Sequence, residues 1–352
     1  MSVRERFGDL DLLRLLAMVL VVVHDGLSIP LDPPAGSPFY IVVELIGDLG
    51  VGIFFFISGY LLKRVYPSIE TSQDARIFLS RRAWRIFPLY WVAILVALFL
   101  GEFAQEIGSG IGATDLLVHL LGLQMLLSSY ISGVAFWFIG AIVICYLWYP
   151  ILVYRGPSVG RLLLRALVIL LLAQAAGTAV GLFGGGMLGY FPIFVLGVAT
   201  GTTDFLRSDS YRSWRLVLGG LAVPAIVYAY LLYADVGVVK ALSLSLPVVP
   251  VVEKVGVPLL AVLCFMLLVQ ETYVLLAPRS PHVLALIATG ATASYAVYLF
   301  HRSLLAVVAS LAGGQQMIVV AVYMACVPAL FTACFYLQTA TDRLIVQVRP
   351  RR

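Results

Sequence analysis

Ionisable side chains are concentrated in the first two apolar stretches of the chain. The first stretch carries Arg14 near its start and His24 with Asp25 near its end, and the second carries Glu44. A charged group at the centre of a membrane helix costs about 2.5–3.5 kcal/mol on insertion scales, so each one indicates a partner or a function. A histidine can accept and return a proton near neutral pH, and carboxylates can orient it. These residues predict general base chemistry inside a membrane.

A structural interpretation of the same residues is also open. Asp11 and Arg14 are three positions apart, so they can pair on one helix face. His24 is then an interior imidazole whose hydrogen bonds are satisfied within the fold. The four cysteines lie inside apolar runs, and we interpret them as core-filling thiols. Neither these cysteines nor the scattered histidines have the spacing of metal ligands, so no metal is expected.

The composition excludes an ordinary soluble enzyme. Of the 352 residues, 62% are apolar and 12% are charged, against about 45–50% and 25% in soluble domains. The mean hydropathy is +1.02. The net charge of +5 is spread over many loops, so nucleic acid is not an expected partner. Membrane lipid is the expected surrounding of the chain.

The apolar runs predict an all-α membrane protein with about ten transmembrane helices of about twenty residues each. Residues 1–352 are expected to form one integral-membrane domain, and the first apolar stretch is expected to stay as a span rather than be cleaved. The stretch 115–127 is too short to cross and predicts an interfacial or re-entrant helix. The predicted spans lie near residues 10–30, 40–62, 86–104, 134–153, 162–183, 187–205, 214–233, 255–276, 285–310 and 316–339.

The distribution of positive charge supports this topology. Cytoplasmic loops of membrane proteins collect Lys and Arg. With ten spans and the N-terminus inside, all but three of the 23 Lys and Arg residues fall on the inner side; Lys240, Lys254 and Arg302 remain outside. Both termini are therefore expected in the cytoplasm, and we expect a multi-pass protein of a bacterial cytoplasmic membrane.

Five segments in this order resemble the acyltransferase-3 family of integral-membrane O-acyltransferases. The likeness covers most of the chain and is to the standalone type, without a fused esterase-like domain. The resemblance implies transfer of an acyl group, expected to be acetyl, from cytoplasmic acyl-CoA to a carbohydrate, lipid-linked or other acceptor at the outer side. The segments are LDLLRLLAMVLVVVH (10–24), GDLGVGIFFFISGYLL (47–62), FLSRRAWRIFPLYW (78–91), FWFIGAIVICYLWYP (136–150) and SYAVYLFHRSLL (294–305).

The resemblance also implies roles for single residues. Arg14 and His24 match the family's arginine and histidine of the first span, with His24 as general base or acyl relay. Arg82 and Arg85 match its paired arginines, and guanidinium groups at a cytoplasmic mouth suit the phosphates of CoA. Positive-inside anchoring would explain the same two arginines without a ligand.

Three further positions follow from the family motifs, and one follows from its place. Ser58 matches the family's Ser-Gly and is assigned to the acyl-CoA path, while Trp137 begins the span-four motif and is assigned to the acceptor. His301 matches the SYxxYLxH pattern and would be a second polar group of the outer cavity; it could instead be a loop-facing or packing histidine beside Arg302. Glu44, at the outer end of span two, is assigned to the acceptor as well.

The spacing in the first span departs from the family. Relatives usually have ten residues between the arginine and the histidine, and this chain has nine, 15–23. Eleven steps of about 100° return to the same helix face, whereas ten steps fall about 80° short, so Asp25 occupies the expected position. Local winding of the helix, chemical replacement by Asp25 and loss of activity all explain the departure, and we favour local winding.

Two other functions compete with acyl transfer. A proton-coupled transporter or flippase for a lipid-linked or acidic metabolite would use the buried charges as a proton or substrate path. A non-catalytic descendant would only bind a partner. A requirement for CoA and a basic inner mouth distinguish the acyltransferase from the proton-coupled carrier.

Overall fold

The computed structural model describes six stretches of the chain and four single positions. Among these residues the regular structure is α-helical, apart from one isolated parallel bridge between Ile69 and Tyr154. The described stretches are residues 8–101, 112–127, 136–183, 185–203, 257–276 and 280–348, and the single positions are 213, 217, 220 and 227.

The helices with defined ends follow the predicted apolar runs. Within the described residues they are α1 (Gly8–Leu31), α2 (Pro38–Val65), α3 (Ser72–Phe99), α4 (Ala113–Leu120), α5 (Trp137–Val153), α6 (Val159–Val180), α7 (Gly185–Thr203), α8 (Val257–Leu276), α9 (Pro281–Leu311) and α10 (Gln316–Val348).

Most predicted spans have a counterpart in this part of the chain. Six helices, α1, α2, α3, α6, α9 and α10, are long and apolar enough to cross a membrane, and three shorter apolar helices lie within α5, α7 and α8. The predicted span 214–233 falls outside the described stretches, so the count of ten and the orientation of the termini stay predictions. Within the stretch 115–127, only the short helix α4 forms.

Helix α3 begins well before the predicted span near residue 86. The Thr71 side chain accepts a hydrogen bond from the Asp74 backbone N–H, and the Asp74 carboxylate accepts one from the Thr71 backbone N–H. This capping box satisfies two backbone donors that a helix start leaves free. The arginines of the RRAWR segment therefore lie within the helix and not in a loop before it.

The chain forms two compact units. The first comprises Met1–Phe54 and Arg207–Ala340, and the second comprises Phe55–Leu206 and Thr341–Arg352. Helices α2 and α10 run through the boundary between these segments. In the first unit α1 packs against α9 and α8, and the Gln270 amide donates to the Asp9 carboxylate at 3.1 Å.

In the second unit α2 and α7 meet backbone to backbone. A Cβ at Gly59 would overlap the carbonyl oxygen of Phe194, and one at Gly197 would overlap that of Phe56. Reciprocal glycines allow this approach, as at many helix contacts in membranes. The thiol of Cys145 in α5 is buried, as expected for a core-filling cysteine.

Candidate functional site

His24 lies between two carboxylates in the first unit. Its Nδ1 is 2.7 Å from Asp25 Oδ1, and its Nε2 is 3.4 Å from Glu44 Oε1. An ionised carboxylate only accepts hydrogen bonds, so the short contact places a proton on Nδ1. The Nε2 contact with a Glu44 carboxyl oxygen then needs a second proton, held either on the ring or on Glu44. The imidazole is 22% exposed and Glu44 28% exposed, so a second molecule can reach this edge of the ring.

Asp25 joins two histidines from different helices. Its Oδ1 contacts His24 on α1, and its Oδ2 lies 3.1 Å from His301 Nε2 on α9. The Arg302 Nε is 3.7 Å from the same Oδ2. With both oxygens engaged, the carboxylate is fixed in orientation, and it fixes the ring of His24 in turn.

The contact between His301 and Asp25 requires a further proton. His301 Nδ1 faces the backbone carbonyl oxygens of Tyr298 at 2.7 Å and Val297 at 3.2 Å. Carbonyls only accept, so Nδ1 carries a proton. The Nε2 contact with a carboxyl oxygen therefore needs a second proton, held either on the ring or on Asp25. His301 is 1% exposed and lies inside α9, so the loop-facing alternative is wrong.

The neighbourhood contains one tyrosine that the sequence reasoning missed. Tyr323 of α10 is fully buried, and its ring packs on the backbone of Gly26, beside Asp25. Asp25 and Arg302 both act on its phenol electrostatically. Its hydroxyl makes no hydrogen bond to any residue that the structure describes. Only its place within an apolar span, VAVYMACVP, marks it in the sequence, and that signal is weak.

Helix α1 is regular through the site, which corrects one expectation. Every residue from Gly8 to Leu31 is α-helical, so local winding does not explain the spacing of nine residues between Arg14 and His24. Adjacent residues of an α-helix point about 100° apart. His24 therefore points to α2 and Asp25 to α9, and both positions take part in one hydrogen-bonded cluster.

Arg14 lies towards the other end of α1. It is 3.6 Å from Asp11, the i, i+3 pair that the structural interpretation expected. At 1.5 Å per residue, it lies about 15 Å along the axis from His24. The described contacts do not bring Arg14 into the cluster of His24, Asp25, Glu44, His301 and Arg302.

The predicted arginine pair lies in the second unit. The Arg82 guanidinium lies over the Tyr66 ring at 5.5 Å and near the Phe78 ring at 5.9 Å, both measured to the ring centroid. Such cation–π contacts attract a guanidinium to the face of an aromatic ring. The Arg82 Nε is buried and makes no hydrogen bond to the described residues. Arg85 is exposed.

Tyr66 is held by the same group of residues. The Tyr149 hydroxyl donates to the Tyr66 carbonyl at 2.7 Å. Burial alone would raise the pKa of the Tyr66 phenol, but hydrogen bonding to and attraction by Arg81 and Arg82 hold that pKa below its usual value. The lowered pKa indicates a positive local potential, which would attract an anionic ligand.

Ser58 and Trp137 also belong to the second unit. Ser58 is partly exposed on α2, next to the Gly59 contact with α7. Trp137 is the first residue of α5, and its ring centroid lies 5.5 Å from that of Tyr190. The structure thus brings together four of the nine predicted site residues, His24, Asp25, Glu44 and His301. It places Arg82, Arg85, Ser58 and Trp137 in the other unit.

The chemistry available to the cluster is proton transfer. A histidine held by a carboxylate at Nδ1 presents Nε2 as a base, and the imidazolium that forms would be hydrogen-bonded at both nitrogens.

Among the described residues, no group of three or more His, Cys, Asp and Glu is arranged to hold a metal ion.

Comparison with known proteins places the chain in one family over nearly its whole length. A model of the acyltransferase-3 family, described as an acyltransferase domain, matches residues 7–339. Neither a curated protein nor a solved structure matches the chain.

Proposed function

This chain belongs to the acyltransferase-3 family, and from that premise we propose that it transfers an acyl group from cytoplasmic acyl-CoA to a hydroxyl at the outer side of the membrane. We propose acetyl-CoA as the donor and a carbohydrate or lipid-linked molecule as the acceptor. A bacterial cytoplasmic membrane is the proposed location. The observation that carries the proposal is the His24 imidazole, which Asp25 holds at Nδ1 and whose Nε2 lies 3.4 Å from Glu44 on a partly exposed edge of the ring.

The proposed reaction uses His24 as a general base. Nε2 takes the proton of the acceptor hydroxyl as the oxygen attacks the thioester carbonyl carbon. The carbon–sulfur bond then breaks, and the imidazolium returns the proton to the leaving thiolate, so that an ester and free CoA result. Asp25 keeps the Nδ1 proton in place and stabilises the imidazolium. Glu44, beside Nε2, is proposed to contact the acceptor without taking the proton of the reacting hydroxyl.

His301 and Arg302 both contact the carboxylate that supports the base, Asp25. His301 takes the second oxygen of Asp25, which prevents the carboxylate from rotating away from His24. We assign His301 to the acceptor side of the site, as a positioning residue for Asp25. Arg14 is proposed to lie on the path of the donor towards His24.

The donor is proposed to bind through its phosphates. Arg82 and Arg85 would contact them, because guanidinium groups bind phosphate oxygens in pairs. The positive potential around Tyr66 supports this assignment. Ser58 and Trp137 are proposed to line the path of the acyl chain and the acceptor site, respectively.

Binding and transfer together test the proposal. We would purify the protein in detergent and measure the Kd of acetyl-CoA and of pantetheine, which lacks the nucleotide phosphates. The variants are His24→Ala, the pair Arg82→Gln with Arg85→Gln, and Arg76→Gln as a matched control on the same helix. Arg76 is also exposed on α3 but lies outside the proposed site.

We expect the arginine pair variant to raise the Kd of acetyl-CoA about tenfold, since two charge-assisted contacts are lost. His24→Ala should keep the wild-type Kd and lose transfer by about 100-fold or more. Arg76→Gln should change neither value. Absence of acetyl-CoA binding in the wild-type protein would reject the donor and favour a carrier or a non-catalytic descendant.

A further inference from the structure

Helix α2 contacts the imidazole of His24 at a glycine. A Cβ built on Gly47 would lie 2.6 Å from His24 Cδ2, 2.7 Å from Cγ and 3.0 Å from Nε2. Real Cβ atoms do not approach ring atoms this closely, because the van der Waals contact distance between carbon atoms is about 3.5–4.0 Å. The ring therefore lies directly on the backbone of α2, in the space that any side chain at position 47 would fill.

The same helix supplies the partner at the Nε2 edge of the ring. Glu44 is three residues before Gly47, so the two positions share one face of α2, and Glu44 Oε1 faces His24 Nε2. The ring thus has a backbone surface under it and a carboxylate beside its reactive nitrogen. Asp25 fixes the third side through Nδ1.

Gly50, three residues after Gly47, serves a different purpose, namely the close packing of α2 on α1. A Cβ at Gly50 would lie 2.9 Å from the backbone oxygen of Ala17 and 3.1 Å from the Leu20 and Val21 side chains. None of these atoms belongs to the cluster around His24. Gly50 brings α1 and α2 together, whereas Gly47 is in contact with the imidazole alone among the nearest atoms.

We propose that Gly47 is a positioning residue for His24, whose missing side chain sets where Nε2 of the base lies. The assignment of His24 as a base rests on the proposed function, but the contact itself does not. Any larger residue would turn the ring about its side-chain torsions, which would separate Nδ1 from Asp25 and Nε2 from Glu44.

A double-mutant cycle on thermal stability tests the contact without any substrate. Gly47→Ala should lower the Tm of the detergent-solubilised protein by several degrees, because the new methyl group displaces the ring. In the His24→Ala background the ring is gone, so Gly47→Ala should leave the Tm unchanged or raise it. Such non-additivity is expected for two residues in contact, whereas distant and independent sites give additive changes.

Two matched variants keep the cycle interpretable. Gly50→Ala should lower the Tm by the same amount with and without His24, because it meets backbone instead. Gly160→Ala, where a Cβ meets nothing within 4 Å, should not lower it. If Gly47→Ala prevents the protein from accumulating, adding His24→Ala should restore accumulation. Equal losses for Gly47→Ala in both backgrounds would overturn the proposal.

Transfer kinetics give the functional part of the test. With wild-type turnover established with acetyl-CoA, Gly47→Ala should lower kcat about 100-fold, the effect of a misplaced catalytic group, with the Kd of acetyl-CoA unchanged. Wild-type kcat in Gly47→Ala would overturn the proposal while the proposed function stands. Absence of transfer by the wild-type protein would instead reject the proposed function, and the stability cycle would still decide the contact.

Discussion

At the scale of single residues, Asp25 is the centre of the site because both of its oxygens are in use. One holds His24 and the other holds His301. An asparagine would fit the same space, with its oxygen accepting from one ring and its amide donating to the other. The charge that stabilises the imidazolium would be absent. Geometry and electrostatics can therefore be separated at this position.

Asp25→Asn is expected to keep the fold and to lower kcat about 100-fold or more, because the imidazolium loses its counter-charge. The measurement is release of CoA from acetyl-CoA, beside the Tm of each variant. Asp32→Asn is the control, since Asp32 is exposed and its positive φ of 40° suits asparagine equally well. Full activity in Asp25→Asn would show that the carboxylate charge has no part in the reaction.

Replacement by phenylalanine is expected to affect stability differently at Tyr149 and at Tyr323. Both side chains are fully buried. The Tyr149 hydroxyl donates to the Tyr66 carbonyl, whereas the Tyr323 hydroxyl makes no hydrogen bond to the described residues. Tyr149→Phe should cost about 0.5–1.5 kcal/mol, and Tyr323→Phe should cost nothing or stabilise the protein. Thermal unfolding in detergent distinguishes the two; a large loss of stability in Tyr323→Phe would contradict the burial argument.

The sequence predicted the members of the site better than their arrangement. Ionisable residues are so rare in apolar runs that His24, Asp25 and Glu44 were identifiable by type and place alone, and His301 was identified from its match to the family motif. Gly47 and Tyr323 were not, because glycine and tyrosine are common in membrane helices. Their importance depends on which atoms lie opposite them, and this depends on helix pairing that one sequence does not reveal.

At the scale of elements, helix α1 shows how a regular helix accommodates an irregular spacing. The predicted ends of α1 agree with the structure to within two residues. The expected change of winding is absent. Instead, two adjacent residues on different faces of α1 both join the site: His24 contacts α2 and Asp25 contacts α9. For α3 the apolar run alone was misleading, because the capping box at Thr71 starts the helix before the run begins.

The contact between α2 and α7 should depend on its reciprocal glycines. Gly59→Ala or Gly197→Ala would drive a methyl group into the opposite backbone, which cannot yield as a side chain can. Each is expected to lower the Tm strongly or to prevent accumulation. Gly189→Ala on α7, where a Cβ meets nothing within 4 Å, should be tolerated. A stable Gly59→Ala would show that the two helices can separate without loss of the fold.

At the scale of the whole molecule, the orientation in the membrane decides which substrate meets which residue. The predicted topology places the α2–α3 loop inside and the α9–α10 loop outside. Glu70 and Gln315 are exposed residues of these two loops. A cysteine at either position can be tested for access from one side of the membrane.

Gln315→Cys is expected to react with a membrane-impermeant maleimide in intact cells, and Glu70→Cys only after permeabilisation. The unmodified chain is the background control and measures the reaction of the native cysteines, of which Cys145 and Cys334 are buried and Cys326 is partly buried. The opposite pattern would invert the topology and move the base to the cytoplasmic side, where it would meet the donor before the acceptor.

The regular winding of α1 means that inserting or deleting a residue before His24 would change which helix His24 faces. Relatives suggest an obvious repair, namely inserting one residue between Arg14 and His24 to restore the usual spacing. In a straight helix that insertion would rotate His24 by about 100°, off the surface of α2 and towards α9. Asp25 would leave its place between the two histidines as well. Restoring the usual spacing of the family would thus break the contacts that His24 and Asp25 make in this chain.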